Sequence, residues 1–176
     1  MDVMEAIRTR RSVRSYRSDP IPDPLRENLE EALQLAPSAC NYQPWHFIMV
    51  SDNELREQVA SACREQMFMA EAPLIVVGCA VPEQAYQTMG GYWNSAVVDV
   101  SIAMDHLMLA AAEAGLGTCW IGAFDEKEVR DILKIPDDVT VVALTPVGYP
   151  KKPDLLGPSG MPERKDAQRT ISWDQY

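Results

Sequence analysis

Between Ser95 and Ala114 the chain reads S-A-V-V-D-V-S-I-A-M-D-H-L-M-L-A-A-A-E-A, and this segment most restricts what the protein can be. As a helix it carries its polar residues Asp99, His106 and Glu113 on one narrow stripe at seven-residue spacing. Almost every other face is apolar, so the helix must be buried on nearly all sides, in the middle of a domain or between two subunits. The chain has 176 residues, 47% of them apolar, which suits one compact domain spanning 1–176 with a substantial core. For so short a chain, an obligate dimer is the expected way to bury such a helix. Asp99, Asp105, His106 and Glu113 interrupt the segment too often for a membrane span.

Helix and strand signals alternate along the rest of the sequence, without repeats. Asp2 to Thr9 reads as a first helix, and Pro24 to Ala36 as a second with Asp23 as its cap. Leu25, Leu29, Ala32, Leu33 and Ala36 share one face of it. His46 to Val50 reads as a strand, Asn53 to Met69 as a helix capped by Asp52, and Leu74 to Ala80 as a fully buried strand. After the apolar helix come a glycine turn, an extended segment from Thr118 to Ile121, a helix from Glu126 to Leu133 capped by Asp125, and a strand from Val139 to Val147. The tail beyond Pro150, with Ile171, Trp173 and Tyr176, has too few apolar residues to form a core of its own and is expected to wrap over something else.

The formal net charge is -10, which argues against nucleic acid or an anionic membrane as a partner for the whole molecule. The charge is nevertheless uneven. Arg8, Arg10, Arg11, Arg14 and Arg17 place five of the sixteen basic residues in the first seventeen positions, as a local anion site would require. The N-terminus lacks the basic start and apolar run of a signal peptide, so a cytoplasmic location is expected. Cys40, Cys63, Cys79 and Cys119 have no close pairing and only His46 and His106 to join them, which favours reduced thiols over a disulfide or metal framework; no metal site is expected.

Three separated stretches concentrate ligand-binding chemistry. Arg10 and Arg11 offer forked donors and Ser12 a hydroxyl; Arg14 continues the cluster. Phosphate fits that set, and so does a plain charged helix end facing water. Pro37-Ser38-Ala39-Cys40-Asn41-Tyr42-Gln43-Pro44-Trp45 packs hydroxyl, amide and aromatic groups between a helix and a strand, suited either to a heterocycle or to satisfying its own loop backbone. Gly115-Leu116-Gly117-Thr118-Cys119-Trp120-Ile121-Gly122 allows close backbone approach to a ligand, or a simple helix exit. It is not a dinucleotide fingerprint, because Trp120 stands where the third glycine would be and the turn follows a helix.

In their order, R-R-S-x-R, A-P-S-x-x-N-x-Q-P-W, G-L-G-T-x-W-I-G and the basic pair Arg164-Lys165 resemble the nitroreductase family of flavin mononucleotide (FMN) enzymes over nearly the whole chain. The resemblance implies an α+β sandwich, with a central, mostly antiparallel sheet flanked by helices, assembled as an intertwined homodimer with two flavins at the subunit interface. It assigns Arg10, Arg11 and Ser12 to the phosphate and ribityl end, Arg14 to the ring or ribityl oxygens, and Arg164 and Lys165 to a second phosphate clamp. Pro37, Ser38, Ala39 and Asn41 would reach the flavin from the other subunit. Trp120, Ile121 and Gly122 would lie along the ring with a backbone N–H toward its N5. Catalysis would need no side-chain acid or base: NADH or NADPH reduces the flavin, which then reduces an electron-poor acceptor such as a nitroaromatic, quinone or enone. Some relatives carry an asparagine and a lysine near the pyrimidine ring where this chain has Gln66 to Glu71, and Gln66 is the substitute amide. Tyr42, Phe68, Trp93 and Phe124 are the expected walls of the acceptor pocket, and Gly90 and Gly91 would let the 83–93 segment move as a lid. A flavin-binding module without turnover, or a flavin-free dimeric scaffold, would share much of this sequence pattern.

Overall fold

A computed structural model describes residues 1–152, 156 and 164–176. Its centre is a four-stranded sheet in the order β1-β2-β4-β3, formed by β1 (Trp45–Val50), β2 (Leu74–Ala80), β3 (Gly117–Thr118) and β4 (Thr140–Gly148). Every pairing is antiparallel, with Trp45 opposite Ala80, Leu74 opposite Val147, and Thr118 also opposite Val147. All seven residues of β2 are buried, because helices cover both of its faces.

Strand alternation sorts the core into two layers. Leu74, Val76 and Ala80 face α2 (Asp23–Gln34) and α5 (Ala96–Glu113), where they meet Leu29, Leu33, Val100, Met104 and Leu107. Ile75, Val77 and Cys79 face the opposite side, toward α3 (Asn53–Ala62) and α6 (Glu126–Leu133), where Val59, Cys63 and Val129 complete the packing. The protein is thus an α+β sandwich. Helix α5 lies directly on β2 at Gly78, where a Cβ would stand 2.9 Å from Val100 Cγ1 and 3.0 Å from Met104 Cγ. Only glycine lets the helix approach this closely.

Local signals explain most element boundaries. Asp2, Asp52 and Asp125 cap α1 (Val3–Thr9), α3 and α6, each accepting a hydrogen bond from the backbone N–H three residues on. Asp23, expected to cap α2, is instead its first residue; Pro22 holds the cap position and makes no side-chain cap, while Asp23 pairs with Arg26. The helix ends at Gln34, short of Ala36. Trp45 joins β1, and the extended segment expected over 118–121 is a two-residue strand followed by an isolated bridge from Ile121 to Leu144.

Two expectations need larger correction. The helix expected over 53–69 breaks after Ala62: Arg64 and Glu65 adopt left-handed backbone, and the short α4 (Phe68–Glu71) begins in a new direction. The turn lets Met69 bury completely while the Arg56 guanidinium satisfies the carbonyls of Ala70 and Ala72. A straight helix could do neither. In α5, expected to be buried on nearly all sides, the polar Asp99 is 3% exposed whereas the apolar Val97 is 47% exposed. The uncovered face of this helix is partly apolar in the single chain.

All four cysteines are free; Cys63, Cys79 and Cys119 are buried and Cys40 is exposed. Burial pushes the Cys63 thiol up to about 12 and the Cys79 thiol up to about 11. Among the described residues no helix is long and apolar enough to cross a membrane. The tail residues Ile171, Trp173 and Tyr176 are exposed.

Replacing Gly78 with alanine should cost about 1–3 kcal/mol through overpacking against Val100 and Met104; an unchanged denaturation midpoint would contradict this placement of α5. The buried thiols predict a pH effect as well. Their contribution is intact below the unfolded thiol pKa of about 8.5 and is lost as the pH rises toward the native values. Denaturation of wild type and of the Cys63→Ala variant, compared at pH of about 8 and about 10.5, should show the larger alkaline loss in wild type.

Candidate functional site

The first and third stretches meet at one edge of the sheet. Arg10 closes α1, donating its N–H to Ala6, and the chain then runs extended beside β3. Ser12 forms a parallel bridge with Thr118, and the Val13 N–H donates to the Thr118 carbonyl at 2.9 Å. Gly117 permits this approach, since a Cβ there would lie 2.8 Å from a Val13 methyl carbon. Cys119, just beyond, is buried, and burial holds its thiol above its ordinary pKa against the opposing pull of Arg14, the Ser12 side chain and Arg10. Sequence reasoning had no role for Cys119, and nothing in its spacing announces this neighbourhood.

The charges at this corner are poorly compensated. Arg11 donates from Nη1 to the carbonyls of Arg8 and Arg10 at 2.7 Å each. Its Nε and Nη2 are buried, with no hydrogen-bond partner among the described residues. Desolvation, followed by the like charges of Arg10 and Arg164, holds the guanidinium below its ordinary pKa. The tail has therefore brought Arg164, with exposed Lys165 beside it, back to the N-terminal cluster. Buried polar groups are nearly always hydrogen-bonded, so two orphaned guanidinium nitrogens beside like charges mark a place for an anion. Nearby, Glu71 accepts the Tyr16 N–H at 2.9 Å and pairs with Lys151 at 3.1 Å. Neither Glu71 nor Lys151 was singled out from the sequence, because 80 positions separate them.

Along the turn after β3 the backbone donors divide. The Ile121 N–H is spent on the Leu144 carbonyl at 2.8 Å, and its side chain is buried in the core. The Ile121 N–H is therefore already engaged within the chain. Among the described residues the N–H groups of Trp120 and Gly122 make no hydrogen bond, and Trp120 is 40% exposed. Gln66 sits behind the turn, donating from Nε2 to the carbonyls of Cys63 and Ala123 at 2.8 and 3.3 Å. Its amide nitrogen is occupied; only Oε1 is left to accept. Phe68 and Phe124 are half-buried against the α3/α6 core layer.

The second stretch lies elsewhere. It enters β1 at Trp45, opposite Ala80 at the far end of β2, whereas Thr118 sits opposite Val147, which pairs with Leu74 at the near end. Three strand spacings and six residues of rise put the two regions on the order of 25 Å apart, on diagonal corners of the sheet. One flavin could not touch both within a single chain. The loop itself is sharply turned: Cys40, Asn41 and Gln43 all have left-handed backbone, at roughly 1–2 kcal/mol for each ordinary residue. Ser38 Oγ accepts the Gln43 N–H at 2.9 Å, which leaves its hydroxyl proton to donate outward, and Asn41 Oδ1 accepts from Gln43 Nε2 at 3.3 Å. Ala39 donates its N–H to Asp99 at 3.1 Å. Pro37, Asn41 and Tyr42 are exposed. Trp93 is 46% exposed and stacks on Tyr92 at 6.1 Å between ring centres, within a tight turn where Gly90 and Gly91 have positive φ.

Comparison with known proteins agrees with this architecture. A sequence model of the nitroreductase family matches residues 7–83 and 65–149. The putative NADH dehydrogenase/NAD(P)H nitroreductase of Methanothermobacter thermautotrophicus is 34% identical over 154 residues, covering 85% of this chain and 78% of that protein. The FMN reductase [NAD(P)H] of Bacillus subtilis is 29% identical over 174 residues, covering 88% and 70%. Among solved structures, a nitroreductase family protein from Clostridium novyi NT superposes with a TM-score of 0.81 at 34% identity, covering 86% of this chain and 87% of the other. With its antiparallel sheet, its two helical layers and its arginine corner in place, this chain belongs to the nitroreductase family.

Proposed function

We propose that this protein is an FMN-dependent oxidoreductase that takes electrons from NADH or NADPH and delivers them to an electron-poor acceptor such as a nitroaromatic, a quinone or an enone. The observation that carries this reading is the arginine corner, where Arg11 Nε and Nη2 are buried without partners among the described residues, beside Arg10 and Arg164. A dianionic phosphate would fill those vacant bonds and cancel the repulsion. The names of the Bacillus subtilis and Methanothermobacter thermautotrophicus relatives support the choice of flavin and nicotinamide.

When bound, the flavin supplies reversible two-electron chemistry between the nicotinamide and the acceptor. The chain's part is binding, orientation and electrostatics. Arg10, Arg11, Ser12, Arg164 and Lys165 would hold the phosphate and ribityl end, and Arg14 would reach toward the ring. The unspent N–H groups of Trp120 and Gly122 would donate to the ring edge, stabilising negative charge gained on reduction. Gln66 Oε1 would accept from a ring N–H. Pro37, Ser38, Ala39 and Asn41 would come from the partner subunit, since their own chain holds them on the opposite corner of the sheet. Tyr42, Trp93, Phe68 and Phe124 would line the acceptor pocket, with 83–93 as its lid.

A homodimer is therefore part of the proposal. The exposed apolar groups of α5 and of the tail, among them Val97, Ile171 and Trp173, support it. We place the enzyme in the cytoplasm, in keeping with its four free cysteines.

The purified protein should be yellow, and anaerobic NADH or NADPH should bleach it within the mixing time; persistent yellow colour would mean a flavin-binding module without turnover, and a colourless protein that takes up no FMN a scaffold. Arg10→Ala or Ser12→Ala should weaken FMN retention by about 1.5–3 kcal/mol, the usual cost of losing a hydrogen bond to a charged group. Unchanged retention in the double variant would remove the phosphate assignment.

A further inference from the structure

We infer that Asp99 is the positioning residue for the 37–43 loop: its buried carboxylate holds the Ala39 N–H and so decides where Ser38 and Asn41 are presented to the flavin. This rests on the function proposed above. Asp99 Oδ1 accepts from Ala39 at 3.1 Å and Oδ2 accepts from the Ser95 hydroxyl at 2.6 Å. Both side chains are buried, Asp99 at 3% and Ser95 at 0% exposure, and no cation pairs with Asp99 among the described residues. A carboxylate taken out of water without a counter-ion depends on its hydrogen bonds. Here one goes to the cofactor loop and the other orients the carboxylate for that task.

The loop has little else to hold it. Most of its other hydrogen bonds are internal: Asn41 N–H to the Ser38 carbonyl, Tyr42 N–H to the Ala39 carbonyl, Gln43 N–H to Ser38 Oγ, and Gln43 Nε2 to the Asn41 carbonyl and Oδ1. Apart from the Trp45 N–H to the Gln43 carbonyl at 2.8 Å, where the loop runs into β1, the Asp99 contact is, among the described residues, the one hydrogen bond joining 37–43 to another element. Three left-handed non-glycine residues favour relaxation to other turns, so this tether in the middle of the loop opposes rearrangement of Ser38 and Asn41. Because Asp99 sits on the first turn of α5, the loop is registered to the helix that crosses the whole sheet. The Ser95 N–H donates in turn to the Tyr86 carbonyl at 2.9 Å, which ties the proposed lid to the same point.

The test compares Asp99→Leu, Asp99→Asn and Ser95→Ala in the full-length protein, with Val100→Ala as a control that loosens the same helix but leaves the tether intact. Two quantities are read: the Kd for FMN on reloading the apoprotein, from flavin fluorescence, and hydrogen–deuterium exchange of the Ala39 amide. Asp99→Leu should raise the Kd about tenfold, as expected for one lost hydrogen bond to a charged group, and should accelerate exchange at Ala39. Asp99→Asn keeps an acceptor for Ala39 and should restore both; Val100→Ala should alter neither. A purely structural role would make Asp99→Leu and Val100→Ala behave alike, and that result overturns the inference. So does wild-type affinity with wild-type exchange in Asp99→Leu. Should Asp99→Leu fail to fold, Ser95→Ala decides: a partial loss of affinity with faster Ala39 exchange supports the tether, and no change in either refutes it. If wild type takes up no FMN, the proposed function fails, and the exchange measurement still judges the tether separately.

Discussion

The close contact of α5 with Gly78 is the constraint around which the molecule is arranged. An 18-residue helix is about 27 Å long, nearly the diagonal of the sheet it lies on. Its first turn carries Asp99 at the corner where β1 begins, and its last turn feeds Gly115 and β3 at the opposite corner. A side chain at residue 78 would crowd Val100 and Met104 and strain the contact of the helix with β2. The same contact that closes one core layer thus sets the distance between the two halves of the proposed site.

That separation gives the proposed homodimer a physical purpose. A single chain assembles the arginine corner and the turn after β3, since Ser12 bridges Thr118 and Arg164 returns beside Arg11. It holds the Ser38–Asn41 loop about a sheet diagonal away, with Ser38 Oγ and Asn41 Oδ1 each accepting one bond from Gln43 and the Ser38 hydroxyl proton left to donate. Two-fold pairing through the partly uncovered α5 would bring one chain's loop to the other chain's corner. Each flavin would then report on the integrity of both subunits.

Not all polar groups in the ligand-binding motifs are free to act on a ligand. The Ile121 N–H and the Gln66 amide nitrogen are committed to backbone carbonyls, whereas the N–H groups of Trp120 and Gly122 have no partner among the described residues. Such commitments cannot be read from a motif, because the partners, Leu144, Cys63 and Ala123, are defined by how strands and turns stack. The broken helix at Arg64–Glu65 has the same origin: its local pattern favours continuation, and the buried demands of Met69 and Arg56 override it.

Local chemistry written in the sequence determined the aspartate caps of α1, α3 and α6, the alternation and full burial of β2, the order of the ligand-binding stretches and the need of 96–113 for partners on nearly every side. These features depend on residues within a few positions of one another or on a single periodicity. Tertiary structure alone decided which stretches share a corner, that Asp99 turns inward to hold Ala39 instead of facing water, and that Glu71 meets Lys151. Each of those is a contact between distant segments, settled by how α5 and the strands pack, and no spacing along the chain encodes a distance across the sheet.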